Sequence, residues 1–148
     1  MSYMLVVEDS DEDFLALQRI LSKHCTVEID LKRCFDGDEV LDFMRGEGDY
    51  AKRSNLPPNL ILLDLNLPGT DGREVLRQLK ADEHFRSIPI VVFTTSSNPR
   101  DIAACYQYGA NSYIIKSMDI DVLKDSIRTL TRYWFEIINL PCLSTERA

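Results

Sequence analysis

Short apolar runs alternate along the chain with segments in which apolar residues recur every three or four positions. This alternation is typical of strands that are each followed by a helix. Residues 60–63 form a fully apolar run, which predicts a strand buried on both faces. Further strands are predicted over 3–7, 90–93 and 112–115. A strand with one exposed face, near a sheet edge, is indicated by alternating apolar residues at Val27, Ile29 and Leu31.

Each predicted strand is followed by a segment with helical spacing. The first helix runs to about Lys23 and begins after Ser10 with three acids, which suit the positive end of a helix. The other helices are predicted to end near residues 45, 81, 108 and 137. Five strands alternating with five helices predict an α/β domain with a parallel sheet and right-handed crossovers. The stretch 46–59 lacks periodicity and predicts an exposed loop, either a partner contact or a tolerated insertion.

Composition narrows the class of protein. The 148 residues fit one domain, placed at 1–130, with an extension of the last helix and a tail at 131–148. A net charge of -7 argues against binding to nucleic acid or anionic membranes. No segment resembles a signal peptide or is apolar for long enough to span a bilayer. Reduced thiols of a cytoplasmic protein are indicated by four scattered cysteines, Cys25, Cys34, Cys105 and Cys142.

Reactive side chains follow four of the five predicted strands. Glu8 and Asp9 follow the first strand, Asp64 the third, Thr94 the fourth and Lys116 the fifth. Parallel strands bring such groups to one edge of the sheet. Three converging carboxylates repel one another unless a cation neutralises them, and Mg²⁺ prefers oxygen ligands.

These residues predict a Mg²⁺ site beside a nucleophile. Asp9 and Asp64 are expected to bind the ion directly, and Glu8 through water. Asp64 is then a candidate nucleophile toward a phosphoryl group, whose negative charge the ion and Lys116 would offset.

Each of these residues also has an ordinary structural alternative. An acid after a strand often caps a turn, a lone lysine is usually solvated, and a threonine at a strand end commonly bonds local backbone. Their joint position at the ends of four strands favours a shared site. His24 could be suggested as a phosphorelay histidine, but its place near the end of a helix favours a surface role.

Four motifs carry this chemistry: Val7-Glu8-Asp9, the segment 63–72, Thr94-Thr95-Ser96 and Tyr113-Ile114-Ile115-Lys116. Together they resemble the receiver domain of two-component response regulators, over about residues 3–130. The resemblance implies a flavodoxin-like (βα)₅ three-layer sandwich with a five-stranded parallel sheet. It also implies Mg²⁺ and phosphoryl transfer from a histidine kinase to Asp64.

The resemblance assigns further roles by position. It implies that Glu8 and Asp9 are the acidic pair, that the backbone carbonyl of Asn66 contacts the metal, and that Lys116 contacts the phosphoryl group. Thr94 and Tyr113 match the family's switch hydroxyl and switch aromatic residue. Phosphorylation would then move the Thr94 hydroxyl, admit the Tyr113 ring and change partner or dimer contacts.

Two departures from the family pattern concern the site. Ser117 stands where the family usually has proline, which disfavours a cis bond there, and Glu8 stands where aspartate is more common. With the 46–59 loop, the Lys-Ser pair resembles the stand-alone regulators encoded with bacterial phytochromes. The histidine kinase partner is then expected to be a phytochrome-type photoreceptor, while the downstream target is not indicated.

Other functions were weighed against this one. An unphosphorylated, receiver-like interaction module is supported only by Ser117. A metal-dependent phosphohydrolase commonly has a second acid two residues after its nucleophile, where this chain has Asn66. A flavin-binding protein needs a phosphate-binding loop after the first strand, and the acids of 8–13 would repel phosphate there.

The last predicted helix carries more apolar surface than packing on the sheet requires. Tyr133, Phe135 and Ile138 add apolar side chains on its other faces, which predicts homodimerisation through this helix and its extension. The alternative is that the tail folds back on its own domain. The predicted dimer residues are those of a heptad-like seam: Ile120, Leu123, Ile127, Leu130, Trp134 and Ile137.

Overall fold

A five-stranded parallel sheet forms the centre of the computed structural model, which describes residues 2–52 and 56–141. Its strands are β1 (Tyr3–Val7), β2 (Asp30–Cys34), β3 (Leu60–Leu63), β4 (Ile90–Thr94) and β5 (Ser112–Ile115). They lie in the order β2-β1-β3-β4-β5. This is the order of flavodoxin-like doubly wound sheets, so the predicted fold class is confirmed.

β2 lies at the sheet edge as predicted, but its bounds differ from the prediction. The strand begins at Asp30, not near Val27. β1 has five residues and pairs them in register with β2, from Tyr3 opposite Asp30 to Val7 opposite Cys34. Val27 therefore has no partner in the ladder. The alternation of apolar residues from Val27 therefore includes positions that pack against a core before the strand begins, such as the half-buried Ile29.

Five helices connect and follow the strands: α1 (Asp11–His24), α2 (Gly37–Arg45), α3 (Gly72–Ala81), α4 (Pro99–Gln107) and α5 (Ile120–Arg132). Each begins after a residue whose side chain accepts a hydrogen bond from a backbone N–H of the first turn. These capping residues are Ser10, Asp36, Asp71, Asn98 and Asp119. His24 is exposed at the end of α1, in agreement with its predicted surface role.

Two apolar cores, one on each face of the sheet, produce the predicted three layers. Successive residues of β1 enter opposite cores, with Leu5 in one and Val6 in the other. The first core packs against residues of α2, α3 and α4, and the second against residues of α1 and α5. The strands β1, β3 and β4 are buried on both faces. The sheet is therefore a rigid support for the residues that follow its strands.

The last helix does not continue as a regular seam to Ile137, which corrects that prediction. α5 ends at Arg132, and a wider π-helical turn, Tyr133–Ile137, follows it. Ile127 and Leu130 are buried in the second core of their own domain, so they are unavailable to a partner. Leu123 and Trp134 also pack against that core. Of the predicted dimer residues, Ile120 and Ile137 are exposed.

The 46–59 loop is more closely packed than an exposed insertion. A 3₁₀ turn spans Gly48–Tyr50. The Tyr50 ring meets the buried Phe43 ring edge-on, with 5.1 Å between centroids, and its hydroxyl donates to Glu39 at 2.7 Å. Most other described residues of the loop are exposed, as predicted, but Gly46, Pro57 and Asn59 are half-buried and Pro58 is buried. Residues 53–55 of this loop lie outside the described residues.

Three of the four cysteines lie within the residues that the structure describes. Cys25 and Cys105 are free thiols, and Cys34 lies in the first core. Cys142 lies outside the described residues. Among the helices of 2–52 and 56–141, none is long and apolar enough to cross a membrane.

Candidate functional site

The carboxyl ends of the strands bring the predicted reactive residues together. Glu8 and Asp9 follow β1, Asp64 follows β3 and Lys116 follows β5. The Nζ atom of Lys116 lies 3.0 Å from a carboxylate oxygen of Asp64 and also contacts the carboxylate of Glu8. One oxygen from each of the three acids lies within 4.8 Å of the others. We call Glu8, Asp9 and Asp64 the carboxylate trio.

Asp64 is held in place by the strand before it and the loop after it. Its backbone N–H donates to the carbonyl of Val7 at 3.1 Å, and the N–H of Asn66 donates to its carboxylate at 3.3 Å. The loop turns back against Asp64 at Gly72, where a Cβ atom would lie 2.3 Å from the Asp64 carbonyl oxygen. Gly69 has a φ of 70°, which favours glycine. These contacts aim a nearly buried carboxylate at Lys116.

Glu8 and Lys116 form a buried ion pair, with side chains 5% and 8% exposed. Burial raises the pKa of Glu8 to about 7, although the Lys116 ammonium acts in the opposite direction. Burial also lowers the pKa of Lys116, but the hydrogen bond with Glu8 and the charge of Asp64 outweigh it and raise this pKa above its ordinary value. Lys116 therefore stays positive at neutral pH, and one ammonium faces three acids.

The carboxylate trio fits the divalent cation that the sequence predicts. Three acids face the single ammonium of Lys116, which favours binding of a positive ion. Mg²⁺ needs few protein ligands because it retains several waters. Asp9 is exposed to solvent, which gives an ion a route to the buried pair of Glu8 and Asp64. Glu8 already accepts hydrogen bonds from the Ser10 N–H, at 3.1 Å, and from Lys116. Glu8 is thus suited to the indirect contact predicted for it, and the Asn66 carbonyl contact stays a prediction.

Thr94 and Tyr113 lie on adjacent strands beside this site. Thr94 is buried, and its hydroxyl has no hydrogen-bond partner among the residues described. Tyr113 is opposite Val92 in the β4–β5 ladder, and its hydroxyl donates to the carbonyl of Ser96 at 2.8 Å. The two predicted switch residues therefore flank the loop that follows β4.

A polar network that the sequence did not reveal ties that loop to two helices. The guanidinium of Arg73, in the first turn of α3, donates to both carboxylate oxygens of Asp101 in α4, at 2.8 and 2.9 Å. The Ser96 hydroxyl donates to the same carboxylate at 2.6 Å. We call Arg73, Asp101 and Ser96 the loop network. Because Tyr113 bonds the Ser96 carbonyl, this network also contacts the predicted switch residue.

Two further residues at the site were missed by sequence reasoning. Asp13 is one of the three acids that the sequence assigned to the start of the first helix, but its carboxylate lies 3.0 Å from Nζ of Lys116. Arg33, near the end of β2, donates to the Glu8 carbonyl at 2.9 Å and to Asp11 at 2.8 Å. The position of Asp13 in the first turn of α1, shortly after the acids that follow β1, was the one available signal.

Ser117 gives the loop after Lys116 an ordinary backbone. No cis peptide bond occurs within the described ranges, in agreement with the expectation for a residue other than proline. The Ser117 hydroxyl accepts a hydrogen bond from the N–H of Asp119 at 3.1 Å, just before α5 begins. Lys116 is thus presented between β5 and a capped helix.

The fold and the site together define a class of protein. A nearly buried aspartate, two neighbouring acids and a lysine lie at the carboxyl edge of a flavodoxin-like sheet. This arrangement suits a divalent ion and a carboxylate that accepts a phosphoryl group.

Comparison with known proteins places the chain in such a class. Residues 4–128 match the family model of the response regulator receiver domain, and the chain belongs to this family. It is 40% identical over 138 residues to "Response regulator Rcp1" of Synechocystis sp.. The alignment covers 93% of this chain and 92% of Rcp1.

Two solved structures resemble the whole described fold. The Mn(2+)-bound form of response regulator Rcp1 has a TM-score of 0.88 at 37% identity, covering 96% of this chain and 100% of Rcp1. The phosphorylated cyanobacterial phytochrome response regulator RcpA has a TM-score of 0.87 at 38% identity. The match covers 95% of this chain and 99% of RcpA. The chain is therefore a receiver protein of phosphorylated two-component signalling, with an acidic pocket suited to Mg²⁺.

Proposed function

We propose that this chain is a response regulator that accepts a phosphoryl group from a histidine kinase on Asp64. The observation that carries the proposal is the position of the Asp64 carboxylate, between the Lys116 ammonium and the other two acids of the trio. Asp71, in the same loop, is exposed. Its carboxylate accepts hydrogen bonds from the backbone N–H and the guanidinium of Arg73, at the start of α3. Capping of α3 therefore explains Asp71, whereas the Asp64 carboxylate lies against Lys116 and the other two acids of the trio.

The transfer makes one bond and breaks one. A carboxylate oxygen of Asp64 attacks the phosphorus of the kinase's phosphohistidine, and the P–N bond breaks. The imidazole nitrogen leaves with the electron pair and takes up a proton. Lys116 supplies a positive charge and a hydrogen bond to the phosphoryl oxygens, and Mg²⁺ held by the carboxylate trio would supply further positive charge there.

The same residues assist removal of the group. A water oxygen attacks the phosphorus, the bond to Asp64 breaks, and inorganic phosphate leaves while the carboxylate is restored. In this sense the chain promotes its own phosphorylation and dephosphorylation while acting as a signalling protein.

The switch in this proposal is local. The Thr94 hydroxyl, which has no hydrogen-bond partner among the described residues, turns toward the new phosphoryl oxygens and bonds them. The Tyr113 ring moves into the space that Thr94 leaves, and the surface formed by α4, β5 and α5 changes with it.

A phytochrome-type photoreceptor kinase is the proposed partner. Support comes from the similarity over nearly the whole chain to RcpA, a cyanobacterial phytochrome response regulator. A kinase that draws its phosphoryl group from ATP acts in the cytoplasm, where we place this protein. We also propose a homodimer formed through the exposed part of the last helix, around Ile120, Tyr133 and Ile137.

Intact mass spectrometry tests the assignment of Asp64. Incubation with acetyl phosphate and Mg²⁺ is expected to add one phosphoryl group that is stable in acid and labile in base. Asp64→Asn should abolish the adduct, whereas Asp71→Asn, a matched change in the same loop, should retain it. Chelation of Mg²⁺ should prevent the adduct on the parent chain and on Asp71→Asn. An unmodified parent chain, or an undiminished adduct on Asp64→Asn, would contradict the proposal.

A further inference from the structure

Lys116 has a carboxylate partner that lies outside the carboxylate trio. Its Nζ atom contacts Glu8 and Asp64, which belong to the trio, and also Asp13, at 3.0 Å. Asp13 is not part of the group of acids that could share a metal ion in the described structure. A cation bound by the trio would therefore not draw the Asp13 carboxylate away from Lys116.

Asp13 is held in this position by the start of α1. The Ser10 hydroxyl accepts a hydrogen bond from the N–H of Asp13 at 3.2 Å, which fixes the first helical turn beside the strand ends. The Asp13 side chain is 47% exposed, whereas that of Lys116 is 8% exposed. Asp13 thus meets the ammonium from the solvent side of the site, from which a phosphoryl donor must come.

We propose that Asp13 competes with the incoming phosphoryl group for the ammonium of Lys116, and so lowers the reactivity of Asp64 toward small anionic donors. The inference rests on the proposed role of Asp64 as the phosphoryl acceptor. Asp13 acts twice: its charge repels the donor anion, and its contact occupies a donor hydrogen of Lys116. Asp13 is a positioning residue, because it acts on the reaction through Lys116.

The test is the rate of phosphorylation by acetyl phosphate, followed by intact mass at low ionic strength. Asp13→Asn should raise the second-order rate constant about threefold, the scale of a screened charge at a half-exposed position. The gain should lie mainly in a lower half-saturating donor concentration, with little change in the maximal rate. It should shrink as salt is added, because salt screens exposed charges.

Two variants and a stability measurement separate this effect from a change in folding. Glu12→Gln removes the same charge in the same exposed helical turn, at a residue that is not a partner of Lys116, and should leave the rate near that of the parent. Asp13→Glu keeps the charge and should also behave like the parent. Thermal unfolding of each variant checks that the fold is intact.

The outcomes distinguish this inference from the function on which it rests. No adduct on the parent chain would refute both. An adduct on every variant, with Asp13→Asn no faster than Glu12→Gln, would refute the competition alone. A slower Asp13→Asn would also refute it, because Asp13 would then assist Lys116. A gain independent of salt would show that the charge of Asp13 is not its cause.

Discussion

At the scale of single residues, the buried hydroxyl of Thr94 is expected to lower the stability of the fold. Its side chain is fully buried at the end of β4, and its hydroxyl lacks a hydrogen-bond partner in the described structure. A buried hydroxyl without a partner costs about 1–3 kcal/mol. Valine has nearly the same shape and no such cost. In the proposed switch, phosphorylation supplies the partner that this hydroxyl lacks in the described structure.

Replacing Thr94 with valine should separate stability from signalling. Thr94→Val is expected to raise the free energy of unfolding of the unphosphorylated protein by about 1 kcal/mol, measured by chemical denaturation. The same variant should lose the response of the Tyr113 ring to beryllofluoride, a stable phosphate analogue, followed by NMR.

Thr95→Val is the matched control, since Thr95 is the exposed neighbour. It should change neither measurement appreciably. A destabilised Thr94→Val, or one in which the Tyr113 ring still responds in full, would show that the Thr94 hydroxyl has a structural role instead.

The residues of the site were predictable to the extent that they follow strands. Asp9, Asp64 and Lys116 could be placed together because parallel strands end at one edge, whatever the side-chain rotamers. Asp13 and Arg33 could not be placed, because their contacts depend on the direction of a helix turn and on the reach of a long side chain. A pattern of polar residues does not contain either quantity.

Among the elements, the loop after β4 is linked to two helices through hydrogen bonds of Asp101. Arg73 of α3 and Ser96 of the loop both bond Asp101 of α4. The interaction of a planar guanidinium with both oxygens of a carboxylate is stronger and more directional than an ordinary surface ion pair. The network thus stabilises the loop beside the two predicted switch residues.

Removing the charge of Asp101 should weaken this loop in a pH-dependent way. The hydrogen bonds from Arg73 and then Ser96 lower the pKa of Asp101 from 3.8 to about 2. A lowered carboxyl pKa gives stability that is present above pH 3.8 and is lost as the pH falls toward 2. Asp101→Asn should therefore lower the free energy of unfolding by about 1 kcal/mol at pH 7, and less at pH 3.

Asp49→Asn, an exposed acid in the 46–59 loop, is the control and should have little effect at either pH. Urea unfolding at both values measures the difference. An Asp101→Asn variant as stable as the parent at pH 7 would show that the loop network does not contribute to stability.

Most element bounds were predictable, and the exceptions have physical causes. The helix starts were marked by capping side chains, which act locally. The end of α5 was not predictable, because apolar spacings of three and four fit both an α-helix and a wider turn. The buried hydroxyl of Thr131 donates to the carbonyl of Ile127 at 2.9 Å, just before the π-helical turn. Such a side-chain bond to helix backbone competes with the regular ladder, and hydrophobic periodicity does not reveal it.

For the whole molecule, the prediction concerns self-association. Ile137 and Tyr133 are 60% and 50% exposed at the end of the last helix, where the regular seam was predicted to continue. Sedimentation at micromolar concentration should show a dimer. Ile137→Glu should weaken the dimer at least tenfold, because it places a charge in an apolar interface.

Leu56→Glu changes a similarly exposed apolar residue away from this helix and should leave the dimer intact. Each protein is measured with and without beryllofluoride, which shows whether phosphorylation alters association. A monomer in both states would refute the proposed homodimer, while leaving the assignment of Asp64 unaffected.

The most direct test of the central claim locates the phosphoryl group on the chain. Borohydride reduces an acyl phosphate of aspartate to homoserine, which marks the modified residue permanently. After labelling with acetyl phosphate and Mg²⁺, reduction and peptide mapping, homoserine is expected at position 64 and at no other acid of the site. Homoserine at position 9 or 13 instead, or at none, would contradict the assignment of Asp64 as the phosphoryl acceptor.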